Sequence, residues 1–351
     1  MKNILIIGLG LMGGSFAKAL RQKNLAAKIA AYDSDEEAIA LAIETAAIDE
    51  EIDIKTNDLS SYDLIILATP LSSYKPLLSN LEGKVKSDAI IIDFGSLKGF
   101  ISKVVSDNLR ANFIACHPIA GSQNDGFANA DANLFAGKKF IICKSGYNKE
   151  NDIQKISDLM QKLNMEVIQL GAKQHDEIYA TISHLPQFLS FLTKDEKSLT
   201  ISDPFFQKAF RLDDSSAPFW SDVFKMNENN LEELYLKFFF NLEGLIQLIK
   251  KGKSEELLEK ILSYKEHHAP YETKQFDENF LQENFVKIFC RLIVVKSYIS
   301  LKAVKEYEKY SGNGLHDFCS ILAIADYNKE KLSQLLQNNR NAIIKKLEAI
   351  S

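Results

Sequence analysis

Residues 2–15 read Lys-Asn-Ile-Leu-Ile-Ile-Gly-Leu-Gly-Leu-Met-Gly-Gly-Ser, and this stretch decides the fold. An apolar run over residues 4–7 predicts a strand that turns at two glycines and leads into a helix. Gly8 permits the tight turn, Gly10 lets the backbone approach a pyrophosphate, and Gly13 lets the helix pack closely on the strand. The helix N-terminus offers N–H groups and a positive dipole end to phosphates, so the pattern predicts a dinucleotide site.

An acidic residue after the second predicted strand indicates which dinucleotide fits. Residues 28–32 form that apolar strand, and Asp33 follows it. A carboxylate there can accept hydrogen bonds from both ribose hydroxyls of NAD, and it repels the 2′-phosphate of NADP. The alternative is a glycine-rich turn that holds no ligand. We predict NAD as the cofactor, with these cofactor-binding residues: Gly8, Gly10, Leu11, Met12, Gly13, Asp33, and Thr69 and Pro70 after the third strand.

The composition narrows the class of protein. The 351 residues are enough for two domains, and 46% apolar with 25% charged residues is ordinary for a soluble protein. A net charge of −5 without a basic cluster argues against nucleic-acid or anionic-membrane partners. Apolar runs stay below the roughly 18 residues of a membrane span, and the first strand leaves no room for a signal peptide. We expect a cytoplasmic protein with a small-molecule substrate.

Cysteine spacing gives no sign of a metal site. The four cysteines are scattered without CxxC spacing, which predicts reduced core residues in a cytosolic protein. They are Cys116, Cys143, Cys290 and Cys319.

The two halves of the chain have different patterns. In the first half, apolar strands alternate with helical stretches, which predicts a doubly wound parallel sheet of the Rossmann type. The further strands are expected at 64–68, 89–93, 113–116, 139–143 and 165–170. The second half is predicted all-helical, with long helices at 231–250 and 285–307 and an irregular part around 202–219. We expect an NAD-binding domain over 1–170 and a helical domain over 171–351.

Two polar residues lie where a parallel sheet binds its ligand, at the carboxyl ends of its strands. Ser96 follows the fourth strand in Asp-Phe-Gly-Ser-Leu-Lys, and His117 follows the fifth in His-Pro-Ile-Ala-Gly-Ser. A histidine near the nicotinamide could take a proton from a hydroxyl while hydride leaves the same carbon. The alternative is that His117 only caps a turn. Lys98 lies where an anion could bind, and His175 and Asp176 are interpreted as the cap of a helix.

Several motifs together resemble the prephenate dehydrogenases and their arogenate-using relatives. They are Gly-Leu-Gly-Leu-Met-Gly-Gly-Ser, the two segments with Ser96 and His117, Leu-Phe-Ala-Gly-Lys at 134–138 and Ser-His-Leu-Pro at 183–186. The resemblance covers roughly residues 1–250. It implies oxidative decarboxylation of prephenate with NAD to 4-hydroxyphenylpyruvate, on the route to tyrosine. It further implies His117 as the catalytic histidine, Ser96 as its partner on the substrate hydroxyl, and a homodimer built through the helical domain.

The resemblance also implies which residues bind the substrate. The family has an Arg nine residues before a Trp, which here are Arg211 and Trp220, although the surrounding residues differ. Arg211 would pair with a substrate carboxylate; the alternative is a surface arginine paired with Asp213 or Asp214. Two further candidates depart from the family, which often has His and Glu where this chain has Gln187 and Gln123. A neutral Gln123 favours the keto acid prephenate over arogenate. The remaining candidate, His184, is either a wall of the site or a core histidine.

Three rival functions remain at this point. The nearest is an arogenate-specific dehydrogenase. A second is a 3-hydroxyacid or imine oxidoreductase of similar architecture, which gives no reason for the segment around His117. A third is a non-catalytic NAD-sensing protein, which would bind NAD without turnover; the joint presence of Ser96, His117 and Arg211 argues against it.

Overall fold

The computed structural model describes residues 1–122, 124–194, 204–262, 283–322 and 329–350. Within these ranges the chain forms two units, and each takes two segments of sequence. The first unit comprises Met1–Glu177 and Ser216–Asn227, and the second comprises Ile178–Ser215 and Glu228–Ser351. The predicted division at residue 170 stays a prediction.

A sheet of eight strands forms the centre of the first unit, in the order β3-β2-β1-β4-β5-β6-β7-β8. The order reverses between β1 and β4, the place where such sheets bind nucleotides. The strands are β1 (Asn3–Ile7), β2 (Lys28–Tyr32), β3 (Glu50–Glu51), β4 (Leu64–Leu67), β5 (Ile90–Asp93), β6 (Phe113–Ile119), β7 (Lys139–Cys143) and β8 (Glu166–Leu170).

One strand pair departs from the predicted parallel sheet. β7 runs antiparallel to β6, while every other neighbouring pair is parallel. The described part of the β6–β7 connection contains one short 3₁₀ turn, Phe127–Asn129, and no α-helix, whereas parallel neighbours are usually joined by a helical crossover. Pairing with β7 also extends β6 to Ile119, so His117 lies inside the strand and opposite Ile141.

Helices accompany this sheet in the first unit, and α1 packs closely on β1. The Cβ of any residue at Gly13 would lie 1.8 Å from the Gly8 carbonyl oxygen. Phe16 of α1 then packs edge-on against Phe94 and Phe135, with ring centroids 5.2 and 5.9 Å apart. The helices are α1 (Leu11–Gln22), α2 (Glu36–Glu44), α3 (Tyr74–Leu81), α4 (Ile101–Val104), α5 (Glu150–Lys162), α6 (Ala172–Tyr179) and, from the second segment, α9 (Ala217–Met226).

All described elements of the second unit are helical. A π-helical turn, Ala180–His184, continues from α6 into α7, and a 3₁₀ turn, Arg211–Asp214, follows α8. The helices are α7 (Leu185–Thr193), α8 (Pro204–Ala209), α10 (Glu228–Lys250), α11 (Ser254–Leu262), α12 (Phe285–Ile299), α13 (Lys302–Tyr307), α14 (Asn313–Cys319) and α15 (Lys329–Glu348). The predicted helix over 285–307 is therefore two helices. None of the helices described is both long and apolar enough to span a bilayer.

Candidate active site

The loop after β1 has the geometry of a pyrophosphate cradle. Gly8 adopts φ +101°, and a Cβ there would lie 2.6 Å from the Ala68 carbonyl oxygen, so only glycine fits. At Gly10 a Cβ would meet no protein atom within 4 Å, which leaves space for a ligand beside the backbone. Gly10 is also the N-cap residue of α1. Because glycine has no side chain, it cannot accept a hydrogen bond from the N–H groups of the first helical turn. These groups fit the phosphates of a dinucleotide.

Asp33 follows β2 and is held against this loop by two backbone donors. Its Oδ2 accepts from Leu9 N at 2.5 Å, and its Oδ1 accepts from Asp35 N at 2.9 Å. The carboxylate therefore has a fixed position beside the glycine loop. The other predicted cofactor residues lie on the same side of the fold, Leu11 and Met12 in the first turn of α1 and Thr69 and Pro70 directly after β4.

The Thr69 segment is held by Ser73. The Ser73 hydroxyl lies 2.8 Å from Thr69 Oγ1 and donates to the Pro70 carbonyl at 2.7 Å. At Gly8 a Cβ would approach the Thr69 methyl group to 2.8 Å, so the two strand-end loops pack directly on each other.

His117 is joined to a second histidine that our reading of the sequence missed. Its Nδ1 lies 2.9 Å from His175 Nε2, and His175 Nδ1 lies 2.8 Å from Asp176 Oδ1. Helix α6 begins at Ala172, so His175 lies within it and is not the predicted helix cap. An adjacent His-Asp pair just after the last predicted strand was the available signal.

A buried ion pair between Lys98 in the loop after β5 and Asp93 at the end of β5 holds the backbone next to His117 in place. Lys98 Nζ donates to Asp93 Oδ2 and to the carbonyl oxygen of Cys116, the residue before His117. Asp93 also accepts from Cys116 N at 3.0 Å and from Gly95 N at 2.9 Å. Burial raises the pKa of the Asp93 carboxyl, and the Lys98 ammonium opposes that rise. Lys98 is thus a buried structural residue, and the suggested anion site there is wrong.

Ser96 lies in the same loop, three residues after the end of β5, and its side chain is half-buried. β5 and β6 are neighbours in the sheet, so the loop that carries Ser96 follows the strand next to the one that contains His117. The role of Ser96 on the substrate hydroxyl stays a prediction.

The predicted substrate residues divide between the units. Trp220 lies in α9 of the first unit and stacks on Phe224, with centroids 5.7 Å apart. Gln123 lies outside the described residues. Arg211, Gln187 and His184 belong to the second unit. His184 is buried at the end of the π-helical turn.

Arg211 makes an ion pair that differs from the one expected for a surface arginine. Its Nε donates to Asp317 Oδ2 at 2.7 Å, whereas Asp213 pairs with the buried Arg291 and Asp214 lies near Lys194. Gln187 supports the same turn, because its Nε2 donates to the Leu212 carbonyl at 2.8 Å. The side-chain amide of Gln187 is therefore used within the protein.

All four cysteines are buried, as predicted. Over the ranges that the structure describes, no three His, Cys, Asp or Glu side chains are grouped so as to hold a metal ion.

Comparison with known proteins identifies the family. The chain matches the nucleotide-binding domain of prephenate dehydrogenase over residues 16–169 and its dimerization domain over residues 171–263. It is 25% identical to prephenate dehydrogenase of Bacillus subtilis, with 72% of each chain covered, and 28% identical to cyclohexadienyl dehydrogenase of Zymomonas mobilis, with 74% and 92% covered. The glycine loop precedes the first matched residue, so its function is argued from its own geometry.

A solved structure of a prephenate dehydrogenase has a similar fold. Prephenate dehydrogenase of Aquifex aeolicus, in complex with hydroxyphenyl propionate and NAD⁺, is 30% identical and superposes with a TM-score of 0.67. The match covers 74% of this chain and 94% of that one. With the two domain matches and the nucleotide loop, this places the chain in the prephenate dehydrogenase family of NAD-dependent oxidoreductases.

Proposed function

We propose that the protein catalyses the NAD-dependent oxidative decarboxylation of prephenate to 4-hydroxyphenylpyruvate, a step toward tyrosine. The observation that supports it best is the fixed imidazole of His117, inside β6 and bonded to His175 at 2.9 Å, in a domain with a nucleotide loop. Relatives named prephenate dehydrogenase and cyclohexadienyl dehydrogenase support the same choice.

His117 acts as the general base in this proposal. The glycine loop and Asp33 would hold NAD, which would supply a two-electron hydride acceptor. A ring nitrogen of His117 accepts the proton of the substrate hydroxyl while that carbon gives up its hydride. The ring carboxylate then leaves as carbon dioxide, its bonding electrons complete the aromatic ring, and His117 returns the proton to the phenolate oxygen. A positioned base of this kind contributes about 10²–10⁴-fold to the rate.

Ser96 and Arg211 bind the substrate in this proposal. The Ser96 hydroxyl would hydrogen-bond the reacting hydroxyl together with His117. Arg211 would bind a carboxylate of the dianionic substrate, because a guanidinium can donate two parallel hydrogen bonds to it. We further infer that residues 1–170 bind NAD and 171–351 serve substrate binding and dimerisation, which is supported by the two domain matches meeting at residue 170.

Of the two glutamines that depart from the family pattern, Gln123 favours prephenate over arogenate. Arogenate carries an ammonium where prephenate carries a keto group, and Gln123 offers that ammonium no negative charge. Gln187 is likewise neutral, and its amide is bonded to Leu212 and to Ser215.

The same proposal includes a cytoplasmic homodimer. Its support is the match of residues 171–263 to a dimerization domain, together with exposed apolar side chains on α10, which belongs to that range.

A side-by-side assay tests the function. The purified protein is mixed with NAD and either prephenate or arogenate, and the absorbance of NADH is followed. We expect kcat/KM for prephenate to exceed that for arogenate by tenfold or more, with 4-hydroxyphenylpyruvate as the product. The reverse ratio would identify an arogenate dehydrogenase. NAD binding without turnover of either substrate would contradict the proposal.

A further inference from the structure

The proposed base is the first of three polar residues that form a continuous hydrogen-bonded chain. His117 Nδ1 lies 2.9 Å from His175 Nε2. The other ring nitrogen of His175, Nδ1, lies 2.8 Å from Asp176 Oδ1. The two imidazole rings have centroids 5.1 Å apart and an interplanar angle of 60°, so the contact is a hydrogen bond and not a stack. We call His117, His175 and Asp176 the relay.

Asp176 ends the relay as a fixed carboxylate. Its Oδ1 accepts from Lys98 N at 2.8 Å and its Oδ2 accepts from Gly99 N at 2.7 Å. Gly99 makes this approach possible, since a Cβ there would lie 2.8 Å from Asp176 Oδ2. A carboxylate held by two N–H donors is stabilised in its ionised form. Asp176 can therefore only accept a hydrogen bond from His175.

That restriction fixes the position of each proton along the relay. Since Asp176 accepts, His175 Nδ1 carries a hydrogen, and its Nε2 in the neutral ring is an acceptor. His117 Nδ1 must then be the donor toward His175. In the neutral His117 ring this leaves Nε2 as the basic nitrogen.

We propose that His175 and Asp176 are positioning residues, which hold His117 in its Nδ1–H tautomer so that Nε2 is the atom that takes the substrate proton. This inference rests on the proposed function of His117 as the base. The arrangement resembles the Ser-His-Asp triad in its logic, because a buried carboxylate there also sets the tautomer of the working histidine.

The surroundings of His175 keep it suited to this role. Burial, and secondly the positive charge of Lys98, hold the pKa of the His175 imidazole well below its ordinary value of 6.5. The charged or titratable groups around His175 include Lys98, Asp176 and His117. A neutral His175 keeps its Nε2 lone pair, so it remains an acceptor for His117 across the pH range of activity.

Kinetics of paired variants test the relay. His175→Phe removes the acceptor for His117 Nδ1, and we expect kcat for prephenate to fall on the order of 10²-fold while KM changes by less than about threefold. His175→Gln can still accept through its amide oxygen, so it should recover part of the loss. Equal losses in the two variants would show a packing role and overturn the relay.

Asp176→Ala is compared with a matched control, Asp63→Ala. Asp63 also accepts from two backbone N–H groups, those of Lys2 and Asn3, but it precedes β4 and so lies at the opposite end of the sheet. Both variants should lose stability against urea, and only Asp176→Ala should lose kcat. A similar kcat loss in both would overturn the relay.

A spectrum of the protein without cofactor separates this inference from the function itself. Two-bond ¹H–¹⁵N correlations of ¹⁵N-histidine-labelled protein report which ring nitrogen carries hydrogen, and His117→Asn assigns the signal. We expect His117 as the Nδ1–H tautomer in the wild type and a mixture in Asp176→Ala. An Nε2–H tautomer in the wild type would overturn the relay even in an active enzyme. Absence of turnover with the expected tautomer would contradict the proposed function alone.

Discussion

At the scale of single residues, Asp33 combines fixed contacts within the fold with a predicted role in cofactor specificity. One carboxylate oxygen accepts from Leu9 N in the nucleotide loop, and the other accepts from Asp35 N, two residues further along the chain. Residues 34–37 read Ser-Asp-Glu-Glu and offer no cation to a 2′-phosphate. We therefore attribute selection of NAD over NADP to charge repulsion at this place.

We expect kcat/KM to favour NAD over NADP by on the order of 10²-fold, which corresponds to about 2.7 kcal/mol. Asp33→Asn retains an acceptor for Leu9 N and removes the negative charge. The ratio of kcat/KM for NAD to that for NADP should therefore fall, chiefly because kcat/KM for NADP rises. Steady-state rates with both cofactors measure this. Equal use of the two by the wild type, or no gain with NADP in the variant, would refute the role of Asp33.

At the scale of elements, the sequence predicts the sheet better than it predicts the group around His117. The run before Gly8 and the strand before Asp33 were predicted within one residue, because buried parallel strands are continuous apolar runs. The antiparallel β7 was missed, since periodicity does not report strand direction.

The relay could not be predicted for a related reason. Its members belong to β6 and α6, and it is fixed by Lys98 and Gly99 from the loop after β5. These segments meet only because the sheet places β5 and β6 side by side, which no local pattern reveals. His117 itself was recognisable because its motif is specific, whereas a His-Asp pair near a helix start has an ordinary explanation as a cap.

The 3₁₀ turn Arg211–Asp214 in the second unit also depends on a contact between segments that are distant in the sequence. Its Arg211 is bonded to Asp317 of α14, which lies outside the residues matched to the family. The Arg211 side chain is 31% exposed. Removal of Arg211 should therefore lower the free energy of unfolding by less than the roughly 3–5 kcal/mol expected when a fully buried ion pair is broken.

We expect Arg211→Ala to raise KM for prephenate by on the order of 10²-fold with a smaller effect on kcat. Arg211→Lys should recover only part, because an ammonium cannot donate two parallel hydrogen bonds. Lys194→Ala, a change at a half-exposed cation near the same turn, is the control. A KM change below fivefold in Arg211→Ala would show that Arg211 serves only its pair with Asp317.

At the scale of the whole molecule, α10 presents an apolar surface suited to a second copy of the chain. Phe240 is 82% exposed and Leu236 is 68% exposed, and they line one open groove with Lys237, Asn241, Ser300 and Leu301. Large exposed apolar side chains of this kind commonly mark interfaces.

We expect Phe240→Asp to shift the protein from dimer to monomer in analytical ultracentrifugation, since a carboxylate buried in an apolar interface is costly. The control is Ile43→Asp, a change at an exposed apolar residue of α2 in the first unit. A dimer that withstands Phe240→Asp at micromolar concentration would place the interface elsewhere.

The proposed mechanism depends most on His117 as the base, and a comparison of kcat with NAD affinity in one variant tests it most directly. His117→Asn keeps a donor for His175 but loses the basic nitrogen, so kcat with prephenate should fall about 10²–10⁴-fold while NAD affinity stays within a few-fold. In the wild type, kcat should also decline at acid pH, because protonation of His117 removes the lone pair that accepts the substrate proton. Full activity of His117→Asn would contradict the mechanism.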